Sequence, residues 1–205
     1  MIEFLLTWQT LLGALTGGIF GLLAALIVAK DARIRLERCS AFLLQSDFTD
    51  VLSCKETLDI EATQEKVADE NMNDWYANHL IYNHPKLSPL FDQSVYQVSD
   101  VNIYLTAHLS LFSKIYKGFL EDMKSLVDAK NALNMGERPK LSDDELKATI
   151  KNIYYSFNKS CSHAECASIL IHKMIFSKAR IFHKFYSKFI ADEKNDICRK
   201  LLSTG

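Results

Sequence analysis

Proline is almost absent from this chain: Pro85, Pro89 and Pro139 are the only ones in 205 residues. Glycine is scarce too, and four of the seven, Gly13, Gly17, Gly18 and Gly21, crowd near the start. A chain with so few turn residues is not a fold of many short strands and hairpins. Long helices are expected, with the prolines in the connections. An excess of one charge is also missing, with 24 basic against 25 acidic residues, so nothing pulls the whole molecule toward nucleic acid. The five cysteines, Cys39, Cys54, Cys161, Cys166 and Cys198, are odd in number and lack framework spacing. They suit a reducing compartment better than an exported disulfide scaffold. No phosphate-binding glycine loop, HExxH, GxSxG or CxxC occurs, the six histidines are scattered, and no two carboxylates form a motif in an apolar setting. The chain is therefore not expected to be an enzyme, and no cofactor is implied.

The most consequential absence is of charge between Phe4 and Ala29. As a helix, Leu5 to Ala29 would be about 37 Å long, more than the ~30 Å of hydrocarbon in a bilayer. We read residues 5–29 as a transmembrane helix, 1–4 as a short external N-terminus, and 30–205 as a cytoplasmic helical domain. Lys30, Arg33, Arg35 and Arg38 follow the span and only Glu3 is charged before it. Basic residues stay inside, so the expected topology is single-pass in the inner membrane, N-terminus out and body in the cytoplasm, with Trp8 at the outer headgroups. A cleaved signal peptide would carry positive charge before a shorter apolar run and a small-residue cleavage site, none of which is present.

Gly13, Gly17, Gly21 and Ala25 recur every fourth residue along one face of the span. Small residues at that spacing let helix backbones approach, so the face is read as a surface for homo-oligomerisation or for docking on another membrane protein. Glycine is also generally tolerated in membrane spans, which is the plainer explanation.

Beyond the span the expected architecture is all-α, an elongated hairpin or bundle packed in coiled-coil fashion. Helices are predicted at about 30–53, 63–82, 100–134, 143–159 and 163–202. Residues 55–62 read as a solvated acidic stretch, and 87–98 as a loop without clear period. The helix from about 100 is expected to be capped by Ser99 or Asp100. Its seam runs through Leu105, His108, Phe112 and Phe119, where His108 reads as a core residue with a satisfied hydrogen bond. Ser142 and Glu145 form a capping box that starts the next helix. The polar cluster Asn158 to Ser162 is the expected break between the last two helices.

Three features invite a functional reading. His163 and Cys166, one helical turn apart, could supply two metal ligands, but a polar helix break explains them more simply, and no metal is assigned. Lys173, Lys178, Arg180, Lys184 and Lys188 form a basic surface interleaved with aromatic residues. That segment could pack into the bundle, lie on anionic lipid or hold nucleic acid. Packing is favoured, lipid comes next, and nucleic acid is not the expected partner. Finally, the basic exit after a glycine-rich span, the run Ala41-Phe42-Leu43-Leu44, the loop from Leu87 to Val98 and Ile115-Tyr116 resemble a broad group of uncharacterised bacterial or phage single-span, membrane-anchored helical proteins. The resemblance implies a prokaryotic or phage source and carries no site residues. The leading expectation is a membrane-anchored interaction or regulatory module, with the bilayer and a second copy or another membrane protein as partners. The alternative is a membrane-acting effector of the phage-exclusion or host-defence type, whose basic helix engages the bilayer.

Overall fold

The structure is a computed structural model that describes residues 2–139, 141–176 and 201, with side-chain surroundings from residue 8. It is all-α, with no strand among the described residues. The helices are α1 (Ile2–Gln64), α2 (Met72–Asn83), α3 (Phe91–Val98), α4 (Ile103–Asn134) and α5 (Asp143–Ile171). Single 3-10 turns stand at Asp69–Asn71 and Ser99–Val101, and a π-helical turn at His172–Phe176 follows α5. The chain divides into two units, Met1–Cys39 and Ser40–Gly205.

The first unit is the leading part of α1. Residues 8–33 are all exposed, among them Trp8, Leu15, Phe20, Leu22 and Ile27. Thr16 turns its hydroxyl onto the helix, donating to the Leu12 carbonyl at 2.8 Å. Past the apolar run, Arg33 meets Glu37 at 2.9 Å and Arg35 meets Asp31 at 2.7 Å, both one turn apart.

The second unit is a bundle around one aromatic core. From the rest of α1 come Ala41, Leu44, Phe48 and Val51, buried at alternating three- and four-residue steps, and Leu58 two turns further on. Phe48 meets Phe112 of α4 edge-on at 5.0 Å and Phe91 of α3 at 6.2 Å, and Phe112 stacks on Tyr116 at 5.3 Å. Phe119 of α4 then packs on Phe157 of α5 at 5.4 Å. Each ring pair contributes about 0.5–1.5 kcal/mol beyond the apolar area it buries. The contacts also fix direction. Gln45 donates to Ser168 at 2.6 Å and Phe42 packs on Phe176, so α5 runs antiparallel to this part of α1. Likewise Tyr76 bonds Asp59 and the Cys54 thiol reaches the Asn83 carbonyl, so α2 folds back along α1.

Several boundaries differ from the sequence reading, each for a local reason. Residues 55–62 are helix rather than a solvated stretch, because Lys55 pairs with Asp59 at 2.6 Å and Thr57 and Thr63 donate to carbonyls one turn back. The helix expected from 63 begins instead at Met72, after a turn through Lys66. The expected loop at 87–98 contains α3, whose Phe91, Ser94 and Val98 are buried. Helix α4 is capped by Asn102, whose Oδ1 accepts from the backbone of Tyr104 at 2.8 Å and Leu105 at 3.3 Å, not by Ser99 or Asp100. The expected break at 158–162 is absent. Asn158, Ser160 and Ser162 each donate to a carbonyl four residues earlier, at 3.0, 2.8 and 3.1 Å, so their polar groups are satisfied on α5 itself. The Ser142–Glu145 capping box is present as read.

Candidate functional site

The small-residue face is built by α1 alone. Gly13, Gly17, Gly21 and Ala25 are exposed, and a Cβ added at any of the three glycines would meet nothing within 4 Å. None of these glycines has a positive φ; Gly136 is the one that does among the described residues. Neither backbone conformation nor contact among the described residues therefore requires glycine there, although it costs about 1 kcal/mol per site in a helix compared with alanine. One helix among the described residues is long and apolar enough to cross a membrane, with a window of mean hydropathy 2.3 and none of that window buried.

Of the basic surface, Lys173 lies in the π-helical turn and is half-buried. Lys178, Arg180, Lys184 and Lys188 lie outside the described residues.

The bundle interior holds the most unusual polar contact. His108 of α4 and His163 of α5 are fully buried, and their Nδ1 atoms are 3.0 Å apart. One ring must donate its Nδ1–H and the other accept. His108 is a core residue, as the seam of α4 suggests, and its Nδ1 is hydrogen-bonded while the buried Nε2 atoms of both rings have no hydrogen-bond partner among the described residues; the pairing joins residues 55 positions apart and was not read from the sequence. Burial, then the neighbouring His108 and Lys159, bring His163 from an ordinary value near 6.5 to about 4. Of the two candidate metal ligands, His163 faces His108, and Cys166 is disulfide-bonded in this structure, a state in which its sulfur is not a thiolate. No cluster of three metal-ligating side chains occurs among the described residues. That disulfide also departs from the expectation of reduced cysteines; Cys39, Cys54 and Cys161 are free thiols.

A second polar group joins α1, α2 and α5. Asp59 accepts from Lys55 and from the Tyr76 hydroxyl, and these bonds outweigh its burial and hold its carboxyl below the usual range. Burial, with Asp59 beside it, pushes the Tyr76 phenol well up. The Cys161 thiol is pushed up to about 12, mainly by burial. A thiol at that value is protonated at neutral pH and a poor nucleophile. The group acts as a strut that ties α2 to α1. Asp47 does similar work. Its buried carboxylate accepts from the Ser88 backbone at 2.9 Å, pinning the loop ahead of α3, and burial raises its pKa.

Between that loop and α4 lies an open cleft of about 400 Å³, lined by His84, Leu87, Phe91, Tyr116 and Lys117 among others. Its polar groups already serve the fold: Tyr116 donates to the Pro85 carbonyl and Lys117 pairs with Asp92 at 3.0 Å. Comparison of the chain with protein-family models, with curated proteins and with solved structures finds no match in any of the three.

Proposed function

We propose that this protein is a single-span, membrane-anchored helical module. In this reading it self-associates through Gly13, Gly17, Gly21 and Ala25 and presents its bundle as an interaction or regulatory surface on the cytoplasmic side of a bacterial inner membrane. The observation that carries the reading is the uncharged, wholly exposed run of α1, which in water would leave its large apolar side chains solvated. Lipid removes that cost. The glycines support association, because nothing among the described residues asks for them. The struts at Asp59 and Asp47 and the raised Cys161 thiol fit a scaffold better than a site of chemistry.

The test is purification of the full chain in mild detergent beside a Gly17→Ile, Gly21→Ile variant, with complex mass measured and co-purifying proteins identified. A defined dimer or partner complex that dissociates in the variant supports the reading. A monomer with nothing bound in both would end the self-association claim and leave only the anchor.

A further inference from the structure

Where α1 leaves its apolar run, charge becomes dense. Six of the ten residues from Lys30 to Cys39 are charged: Lys30, Asp31, Arg33, Arg35, Glu37 and Arg38. They do not surround the helix. At ~100° per residue, Arg35 and Arg33 border a charge-free sector about 160° wide, and the other four charges lie outside it. Within this stretch the sector holds Ala32, Leu36 and Cys39. Ala32 and Cys39 are exposed, and Leu36 is 48 % exposed although it is a large apolar side chain among ions. Ala25 and Ala29 fall in the same sector and are exposed too. Uncharged positions therefore recur at 25, 29, 32, 36 and 39, the alternating four- and three-residue steps of a seam between two helices. All of them belong to the first unit, Met1–Cys39.

We propose that this sector carries the anchor's association face beyond the apolar run, and that it pairs with the same sector of a second copy lying parallel. The inference rests on the anchor reading above and extends its interface into a charged, water-exposed neck. Three arguments select a second copy. Copies inserted with one topology are parallel and level, so position 32 meets 32, 36 meets 36 and 39 meets 39. A two-fold pair also sets each seam residue against itself, which a charged seam would oppose by like-charge repulsion; this sector has no charge although most of its neighbours do. Lastly, the bordering arginines are each engaged by an acid of the same helix, Arg33 with Glu37 at 2.9 Å and Arg35 with Asp31 at 2.7 Å, which lowers the repulsion between two such necks. A partner bound by opposite charge would have to compete with those acids. The neck seam is too short to hold two helices in water alone, since independent coiled coils run for about three or four heptads. Joined to the span, it adds to an association begun at Gly17 and Gly21 and fixes the rotation of the paired helices about their axes.

The test treats membranes from cells that express the full chain with a short bismaleimide, which joins two thiols only when they are close. The native chain, with Cys39 as its free and exposed thiol, is compared with Cys39→Ser, and with Leu36→Cys or Arg38→Cys added to Cys39→Ser. Arg38 is exposed and lies about 140° from the middle of the sector. Yields are read above that of Cys39→Ser, and the mass of the untreated protein is measured in mild detergent. A product of twice the chain's mass is expected from native Cys39 and from Leu36→Cys, with its loss in Arg38→Cys. A dimer by mass without the Cys39 product would overturn the neck seam and leave association through the span standing. Equal yields from Leu36→Cys and Arg38→Cys, or yields that fall as added lipid dilutes the protein, would overturn it as well. A monomer by mass with no product would remove the seam and the self-association reading together. A Cys39 product with a different protein would overturn the second copy as occupant.

Discussion

His108 and His163 put two titratable rings in the packed core, and protonation of both would set two cations about one hydrogen bond apart. The fold therefore holds the His163 ring neutral, and the unfolded chain does not. Between pH ~6.5 and ~4 the unfolded state binds more protons than the folded one, so stability falls as pH falls through this window. At 1.36 kcal/mol per pKa unit the loss approaches about 3 kcal/mol by pH 4. Urea unfolding of the detergent-solubilised protein, followed from pH 7 to pH 4, should show this decline, and a variant with both histidines replaced by leucine should lose this component of it. The same pair makes a second prediction at pH 7. His163→Leu alone leaves the buried His108 ring without its His163 bond and should cost about 1–3 kcal/mol, whereas His108→Leu with His163→Leu removes both polar groups and should cost less than either single change. Strictly additive costs would mean the 3.0 Å contact carries no coupling. The sequence marks His108 as a core position because it falls on the α4 seam. It sets His163 beside Cys166 on its own helix rather than beside His108, because that partner comes from another helix.

Helix ends separate what local sequence can disclose from what it cannot. Helices α1 and α4 end alike. After Gln64, Lys66 takes φ 54° and the Val67 amide donates back to Ala62 at 3.0 Å; after Asn134, Gly136 takes φ 71° and the Glu137 amide donates to Ala132 at 2.8 Å. Both are Schellman closures, in which the left-handed residue lets the chain satisfy the last carbonyls. Glycine announces the second in the sequence. Lysine hides the first, which is why the sequence pattern alone ends the entry helix near residue 53 and starts a new helix from about 63. The Ser142–Glu145 box is legible because its two side chains bond within four residues. The α4 cap at Asn102 is not, because Ser99 and Asp100 are equally good candidates on propensity. Helix α3 escapes because its burial depends on Phe48 and Phe112, both distant in sequence. Lys66→Gly should therefore stabilise the bundle by about 1 kcal/mol by relieving the left-handed strain, and Gly136→Ala should destabilise it by a similar amount. Thermal unfolding monitored by circular dichroism distinguishes the two by the sign of the shift. A Lys66→Gly variant that unfolds earlier would show that the lysine side chain contributes more than its backbone costs.

At the scale of the whole molecule, on the proposed reading of α1 as an anchor, two features point to opposite sides of the bilayer. Lys30, Arg33, Arg35 and Arg38 follow the apolar run and favour retention of the body in the cytoplasm, and the acids paired with Arg33 and Arg35 subtract little from that bias. The disulfide at Cys166 favours an oxidising compartment. The two act at different stages. Sidedness is decided as the span inserts, when flanking charge is what distinguishes the two orientations, whereas a disulfide forms later and follows the compartment in which the body already lies. The charges should therefore prevail. Cys39 is a natural reporter, since it is a free, exposed thiol ten residues beyond Ala29. A membrane-impermeant maleimide should label it in inverted vesicles and spare it in intact spheroplasts. Labelling of Cys39 in spheroplasts would reverse the topology and place the bundle and any partner on the outer face.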